Sequence, residues 1–273
     1  MSGKVGFVEG EHRPAIIEGP LTALSWLTIL PVRGATAFDR VTGGRVLASV
    51  PLIGILLGTL GTVLAGLGVY FHITPFLIAV VIVCFWELFT RFMHLDGLAD
   101  VADALGSYAP PERAREIIAD PTTGLIGMGA AFISLMLQIA SFDTLIEQNY
   151  WWMIFFAPMI GRLCAIFGAH SSLKPMQPTG FGAMMIGTVT TATIAVWFSI
   201  IFTASVSIPL LVGTPAIAII VIIALLLSIG IAVLEIRHCS RRFEGMNGDT
   251  TGFIMHSCTA ASAVLLAIGT CVV

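Results

Sequence analysis

The chain has 273 residues, 57% hydrophobic and 11% charged, with a net charge of −3 and a mean hydropathy of +0.97. Soluble domains carry about 25% charged residues, so the composition excludes an ordinary soluble globule and points to an all-α, polytopic membrane bundle. The slight acidity offers no basic surface for nucleic acid or anionic lipid.

In chain order, the first twenty residues are polar and carry Glu9, Glu11 and Glu18, so no signal peptide is expected. The apolar run 21–30 is too short to span and stops at Pro31; an interfacial or re-entrant helix with Trp26 at the headgroups is expected. Seven membrane-length runs follow, at 46–71, 75–93, 124–142, 150–169, 181–206, 209–234 and 253–273. The fifth is diluted by Thr188, Thr190, Thr191 and Thr193. With seven spans, every Lys and Arg outside the membrane falls on the face that holds the N-terminal arm and loops 94–123, 170–180 and 235–252. Lys174, Arg237, Arg241 and Arg242 are among them. The positive-inside rule makes that face cytoplasmic and puts the C-terminus outside. No repeat or linker interrupts residues 1–273, so a single domain is expected. The five scattered cysteines form no CxxC pair and read as packing residues.

Chemistry concentrates on the basic face. The segment HLDGLADVADALGS puts Asp96, Asp100 and Asp103 at i, i+4 and i+7. At about 100° per residue, a helix gathers them within an arc of roughly 60°. Like charges so placed repel, and no Lys or Arg lies between Arg91 and Arg113. A divalent cation resolves the conflict; hard carboxylate oxygens suit Mg²⁺, which bridges carboxylates to substrate phosphates. A solvated acidic helix is the plainer alternative. His94 adjoins the triad as a candidate base or ligand, whereas His170, His238 and His256 have no metal-type spacing.

Glu87 and Arg162 fall inside spans, where ionised groups face a partner or a polar cavity. They form either a structural pair, or Arg162 clamps phosphate at the bundle mouth. A continuous helix would set Glu87 a little over two turns below Asp96. Pro110-Pro111 opens a short amphipathic helix that Asp120-Pro121 closes. Arg113 and Arg115 on it are surface ion-pair partners or, for Arg113, a phosphate contact; Asp120 has a site role. In the turn NGDTTG, Asp249 is either a further metal ligand or an N-cap. Thr250 is a rival cap, and the backbone there is a candidate anion site.

These pieces in this order resemble the cobalamin synthase family, the adenosylcobinamide-GDP ribazoletransferases. HLDGLADVADALGS matches the family pattern HLDGLADxxDG; ERAREIIADPTTGLIGMGA and the late GDTTG match its second and third acidic segments. LTALSWLTILPVRG and GRLCA are similar to its opening and its fourth span. The resemblance implies an inner-membrane enzyme of cobalamin biosynthesis. With Mg²⁺, it joins α-ribazole, or its 5′-phosphate, to adenosylcobinamide-GDP and releases GMP. Carried over, Asp96, Asp100, Asp103, Asp120 and Asp249 are its acidic positions. Asp96, Asp100, Asp103 and Asp249 then act as metal ligands, Asp96, Asp100, Asp103 and His94 as catalytic groups, and Arg113, Arg162, Asp120 and Thr250 as substrate contacts. The base is His94 or Asp103, and the 5′ oxygen of ribazole is the expected nucleophile. The partners are the two small-molecule substrates and membrane lipid; a homo-oligomer is compatible with the pattern. The chain departs from the family at His256, where an acidic residue is usual, and at LKPMQPTGFG over 173–182. Two rival readings are a CDP-alcohol phosphatidyltransferase-like enzyme, whose second motif half is missing here, and a divalent-cation transporter, which would place its carboxylates at the midplane.

Overall fold

A computed structural model describes residues 8, 10–212 and 214–272. The start of the polar arm, Gly213 within the expected sixth span and Val273 at the end of the seventh lie outside them. Eleven α-helices account for the described architecture, and the only β contacts among the described residues are three isolated bridges. Helix α1 (Ala15–Leu27) packs along the start of α2 (Arg40–Tyr70). Helix α3 (Pro75–Phe89) turns by 89° into α4 (Met93–Gly106), and α5 (Pro111–Ile118) follows. Next come α6 (Leu125–Glu147) and a short 3-10 helix (Trp151–Phe155) that runs into α7 (Phe156–Phe167). The chain ends with α8 (Phe181–Met185), α9 (Thr191–Leu211), α10 (Pro215–Arg242) and α11 (Gly248–Thr270).

Five helices (α2, α6, α9, α10 and α11) are long and apolar enough to cross a membrane alone, six with the bent α3–α4 pair. The expected count of seven also took in α3 as a span by itself and the 150–169 run. The latter is a 17-residue helical stretch, Trp151–Phe167, below membrane length. It lies at the centre of the bundle, with every residue from Phe156 to Ile166 buried. Two boundaries also move. The 181–206 run splits because Gly187 adopts φ +79° and Thr190 caps α9 by accepting from the Thr193 N–H at 3.1 Å. Pro209 therefore sits near the end of α9 and does not open α10. The second run breaks at Arg91 and Phe92, both at φ 56°, so Glu87 and Asp96 do not share one helix.

Small residues let the central helices touch. A Cβ on Gly54 would lie 2.8 Å from the Pro158 carbonyl, and one on Gly58 would collide with the Phe155 carbonyl. Both glycines are in α2 and both contacts are on the 3-10/α7 segment, the close approach that membrane bundles use. Trp86 anchors α3 by donating its indole N–H to the Leu57 carbonyl at 3.0 Å. Outward faces are apolar and exposed, as at Phe132 and Ile133 of α6, Val196 and Ile200 of α9, and Ile223 and Leu227 of α10. So wide a band of exposed aliphatic surface is a lipid-facing surface.

Loops at one end interlock. Arg242 donates to the Ala109 carbonyl, Arg115 pairs with Glu244 and reaches the Phe243 carbonyl at 3.2 Å, and Met246 exchanges backbone hydrogen bonds with the 174–176 segment. The N-terminal arm is tied there too. Burial by itself would raise the Glu18 carboxyl, but the Arg13 N–H, His12 and Arg45 together hold it below the ordinary range. At the opposite end, Gln148 meets Cys271 at 3.3 Å.

Gly58→Ala is expected to lower thermal stability in detergent by about 1–3 kcal/mol through overpacking. Gly129→Ala, where nothing lies within 4 Å of the added methyl, should be neutral or stabilising by up to about 1 kcal/mol. Equal effects would contradict the packing described.

Candidate active site

The site is built where α4 crosses the start of α11. The apolar side of α4 (Leu98, Ala99, Val101, Ala104) is buried in the bundle, which leaves Asp96 exposed and Asp100 half-buried. Contact with α11 depends on Gly97: a Cβ there would lie 2.8 Å from the Asp249 carbonyl and 3.0 Å from its Cα. A Cβ on Gly252 would come within 3.4 Å of the His94 Cα. Asn247 sets the start of α11. Its side chain accepts from the Thr250 N–H at 2.9 Å, and its own N–H donates to the Thr250 hydroxyl at 2.9 Å. Asn247 also donates to Asp249 Oδ2 at 2.7 Å, which aims that carboxylate.

The acidic residues therefore meet. The charges that act most strongly on Asp100 are all carboxylates, Asp96 first, then Asp249, Asp103 and Asp120. Asp96 also acts on Asp249. Among the described residues neither Asp96 nor Asp100 forms an ion pair. Asp103 is differently placed: its oxygens accept from the N–H groups of Gly124 at 2.6 Å and Gly127 at 2.8 Å. It thus caps α6 and complements the positive end of that helix. Asp120 accepts from the Thr122 hydroxyl at 2.6 Å and N–H at 2.9 Å; these bonds, with Arg113 adding, hold its carboxyl below the usual range.

The other predicted residues spread out. Arg113 is exposed and pairs with Glu116 at 2.7 Å. The Thr250 hydroxyl is buried and engaged in the capping box. Arg162 is only 6% exposed, set in a small polar cavity with Glu87, His94, Gln138, His256 and Thr259, well inside the expected bundle mouth. No direct Glu87–Arg162 ion pair forms among the described residues, although the two charges interact. Glu87 instead meets His256 at 3.2 Å, and the other ring nitrogen of His256 meets Ser134 at 2.8 Å. Glu87 Oε2, His94 Nδ1 and Arg162 Nε are buried without partners.

Two larger cavities flank Asp249. One, about 490 Å³, is lined mainly by apolar side chains with Arg91, His94 and Asp249 among them. The other, about 280 Å³, carries Arg115, Gln177, Thr179 and Asn247. Phe181, Gly248 and Asp249 line both. Sequence reasoning missed Arg91, Gln177 and the capping role of Asn247. The N-x-x-T spacing ahead of an apolar run was the available signal for the last; nothing local marks the other two.

Among the described residues no three carboxylate, imidazole or thiolate groups already form a metal cage. Mg²⁺ needs none, since it takes one or two carboxylates and completes its shell with waters and phosphate oxygens. The crowded, cation-poor oxygens of Asp96, Asp100 and Asp249 fit that mode, one of the Asp249 pair already accepting from Asn247; each Asp103 oxygen already accepts one backbone N–H.

Fold and site together define a class: a polytopic helical membrane enzyme with an acidic end beside two ligand-sized cavities. The comparisons with known proteins narrow it. The chain belongs to the cobalamin-5-phosphate synthase family, which it matches over residues 19–267. It is 64% identical over 269 residues, 98% of each chain, to an adenosylcobinamide-GDP ribazoletransferase of Corynebacterium diphtheriae. The corresponding enzyme of Corynebacterium efficiens is 47% identical over 268 residues, again 98% of each. That of Frankia casuarinae is 32% identical over 263 residues, 90% of this chain and 93% of the relative. No solved structure matches.

Asp103→Ala should lower stability by about 0.5–2 kcal/mol, as for a lost helix cap. Asp96→Asn, which relieves repulsion, should leave the melting temperature in metal-free buffer unchanged or raise it. Thermal unfolding of the two variants checks the assignment; the opposite ranking would exchange their roles.

Proposed function

We propose that this chain is an adenosylcobinamide-GDP ribazoletransferase that works as a single membrane-embedded catalytic domain. The observation that carries the reading is the 64% identity along nearly the whole of a relative with that name. The approach of α4 to α11 at Gly97, which brings the Asp249 backbone beside the acidic helix, is consistent with it.

A hydroxyl of ribazole attacks, in line, the phosphorus that bears the cobinamide. The new P–O bond forms as the bond to the GMP oxygen breaks, and GMP leaves. The 5′ oxygen is the wrong nucleophile: an acceptor that carries a 5′-phosphate has that oxygen blocked, and the family's own name denotes a 5-phosphate product. A ring hydroxyl of the ribose attacks instead. Asp96, Asp100 and Asp249 would hold Mg²⁺, which when bound neutralises charge on the transferring phosphoryl group. Asp103 sets α6 against α4. Of the two candidate bases, His94 is the one that lines the large cavity, whereas the Asp103 carboxylate is turned to two backbone N–H groups. Arg113, exposed near Asp120, contacts phosphate. Arg162 balances the buried Glu87, and Thr250 fixes the start of α11.

The site faces the cytoplasm, because Lys174, Arg237, Arg241 and Arg242 belong to the same end and the opposite loops carry no Lys or Arg. With α3 and the 151–167 stretch each counted as a passage, seven passages put the N-terminus inside and the C-terminus outside, in the cell membrane. The large corrinoid approaches from that interface.

GMP release from adenosylcobinamide-GDP and ribazole by purified protein tests the reading directly. Asp96→Asn should abolish it in a protein that still folds. His94→Gln should reduce kcat by about 10²-fold or more. Divalent-metal uptake into liposomes with no GMP formed would establish a transporter instead, and wild-type turnover in Asp96→Asn would remove the acidic helix from the chemistry.

A further inference from the structure

We propose that the two cavities divide the substrates: the larger holds the bicyclic base of ribazole, the smaller holds the guanosine end of the donor, and the reacting atoms meet at Asp249 between them. The proposal rests on the transferase reading above.

The larger cavity is aromatic on one side. Trp26, Phe38 and Phe181 form a mutually packed trio, with ring centroids 5.0 Å (Trp26–Phe38), 5.9 Å (Trp26–Phe181) and 6.1 Å (Phe38–Phe181) apart. Leu47, Val50 and Met185 complete an apolar slot of about 490 Å³, the size and character of pockets that take nucleoside-sized ligands. The guanine and adenine of the donor are flat too, but their polar edges would go unpaired against such a wall, so the base of ribazole suits the slot better. The diphosphate is charged, and a corrin macrocycle is too large. Arg91 donates to the Trp26 carbonyl and so ties α1 to the start of α4, holding this wall beside His94. A base stacked on the trio leaves its ribose toward His94 and Asp249, two of the polar residues that line the cavity.

The smaller cavity has the opposite chemistry. Gln177 and Thr179 offer donors and acceptors, beside Arg115, which is held by Glu244, and Asn247, whose amide is engaged by Thr250 and Asp249. These suit the edge of a guanine and its ribose phosphate. Phe181, Gly248 and Asp249 belong to both linings, so ligands in the two cavities are separated by one residue layer with a carboxylate in it. A phosphoryl transfer between them needs that adjacency.

The test compares Trp26→Leu, Trp26→Phe and Gln177→Ala in detergent-purified full-length protein. Initial rates of GMP release give the KM of each substrate, and equilibrium dialysis gives ribazole binding without donor. Trp26→Leu should raise the ribazole KM about tenfold, the scale of base–aromatic stacking, and weaken dialysis binding alike, with the donor KM unchanged. Trp26→Phe should restore both values, which a merely misfolded wall would not. Gln177→Ala should show the reverse split, raising the donor KM alone. An unchanged ribazole KM in Trp26→Leu, or equal rises for both substrates in that variant and in Gln177→Ala, overturns the division while GMP release keeps the transferase reading intact. Ribazole binding that is lost in Trp26→Leu, in a protein that never releases GMP, upholds the base site and defeats the transferase reading.

Discussion

The close approach of α4 to the start of α11 at Gly97 is the constraint on which the rest depends. Carboxylates on two separate helices repel, and nothing in their own chemistry draws them together. Burial of Leu98, Ala99, Val101 and Ala104 presses α4 into the bundle, and the missing side chain at Gly97 lets the Asp249 backbone come against it. Close packing of α4 in the bundle thus holds an electrostatically unfavourable arrangement in place. Stored repulsion of that kind is what a bound cation relieves, and the neutralised site can then accept an anionic diphosphate.

Much of this was legible from residue spacing. The i, i+4, i+7 rhythm of Asp96, Asp100 and Asp103 does form a helix, Pro110-Pro111 does start the short α5, and the loops that carry acidic and basic residues do interlock at one end. Spacing does not show which oxygens remain free. Asp103 shares the phase of Asp96 yet caps α6, because Gly124 and Gly127 come from a segment some twenty residues on. Hydropathy also missed the breaks at Arg91–Phe92 and Gly187, where left-handed backbone angles end a run whose side chains remain apolar. The centre of the bundle was read as an ordinary span, although its helical stretch is 17 residues long and shielded by neighbours from Phe156 to Ile166.

The buried polar group of Glu87, His256 and Ser134 gives the imidazole at position 256 a physical meaning. An imidazole there joins Glu87 to Ser134 through both ring nitrogens, with Arg162 close by to balance the carboxylate. An acidic side chain at that position would bring a second negative charge to Glu87. The group lies directly behind His94, which lines both the large cavity and the small polar one, so the packing that fixes the catalytic end continues into the middle of the bundle.

Mn²⁺ binding followed by electron paramagnetic resonance tests the central claim most directly, since it reads the shared site without substrate or turnover. Saturable binding by the wild-type protein that is lost alike in Asp96→Asn and in Asp249→Asn is the predicted result, because the two carboxylates act on one ion. Binding that survives either substitution, or that never saturates, would contradict a common site across α4 and α11.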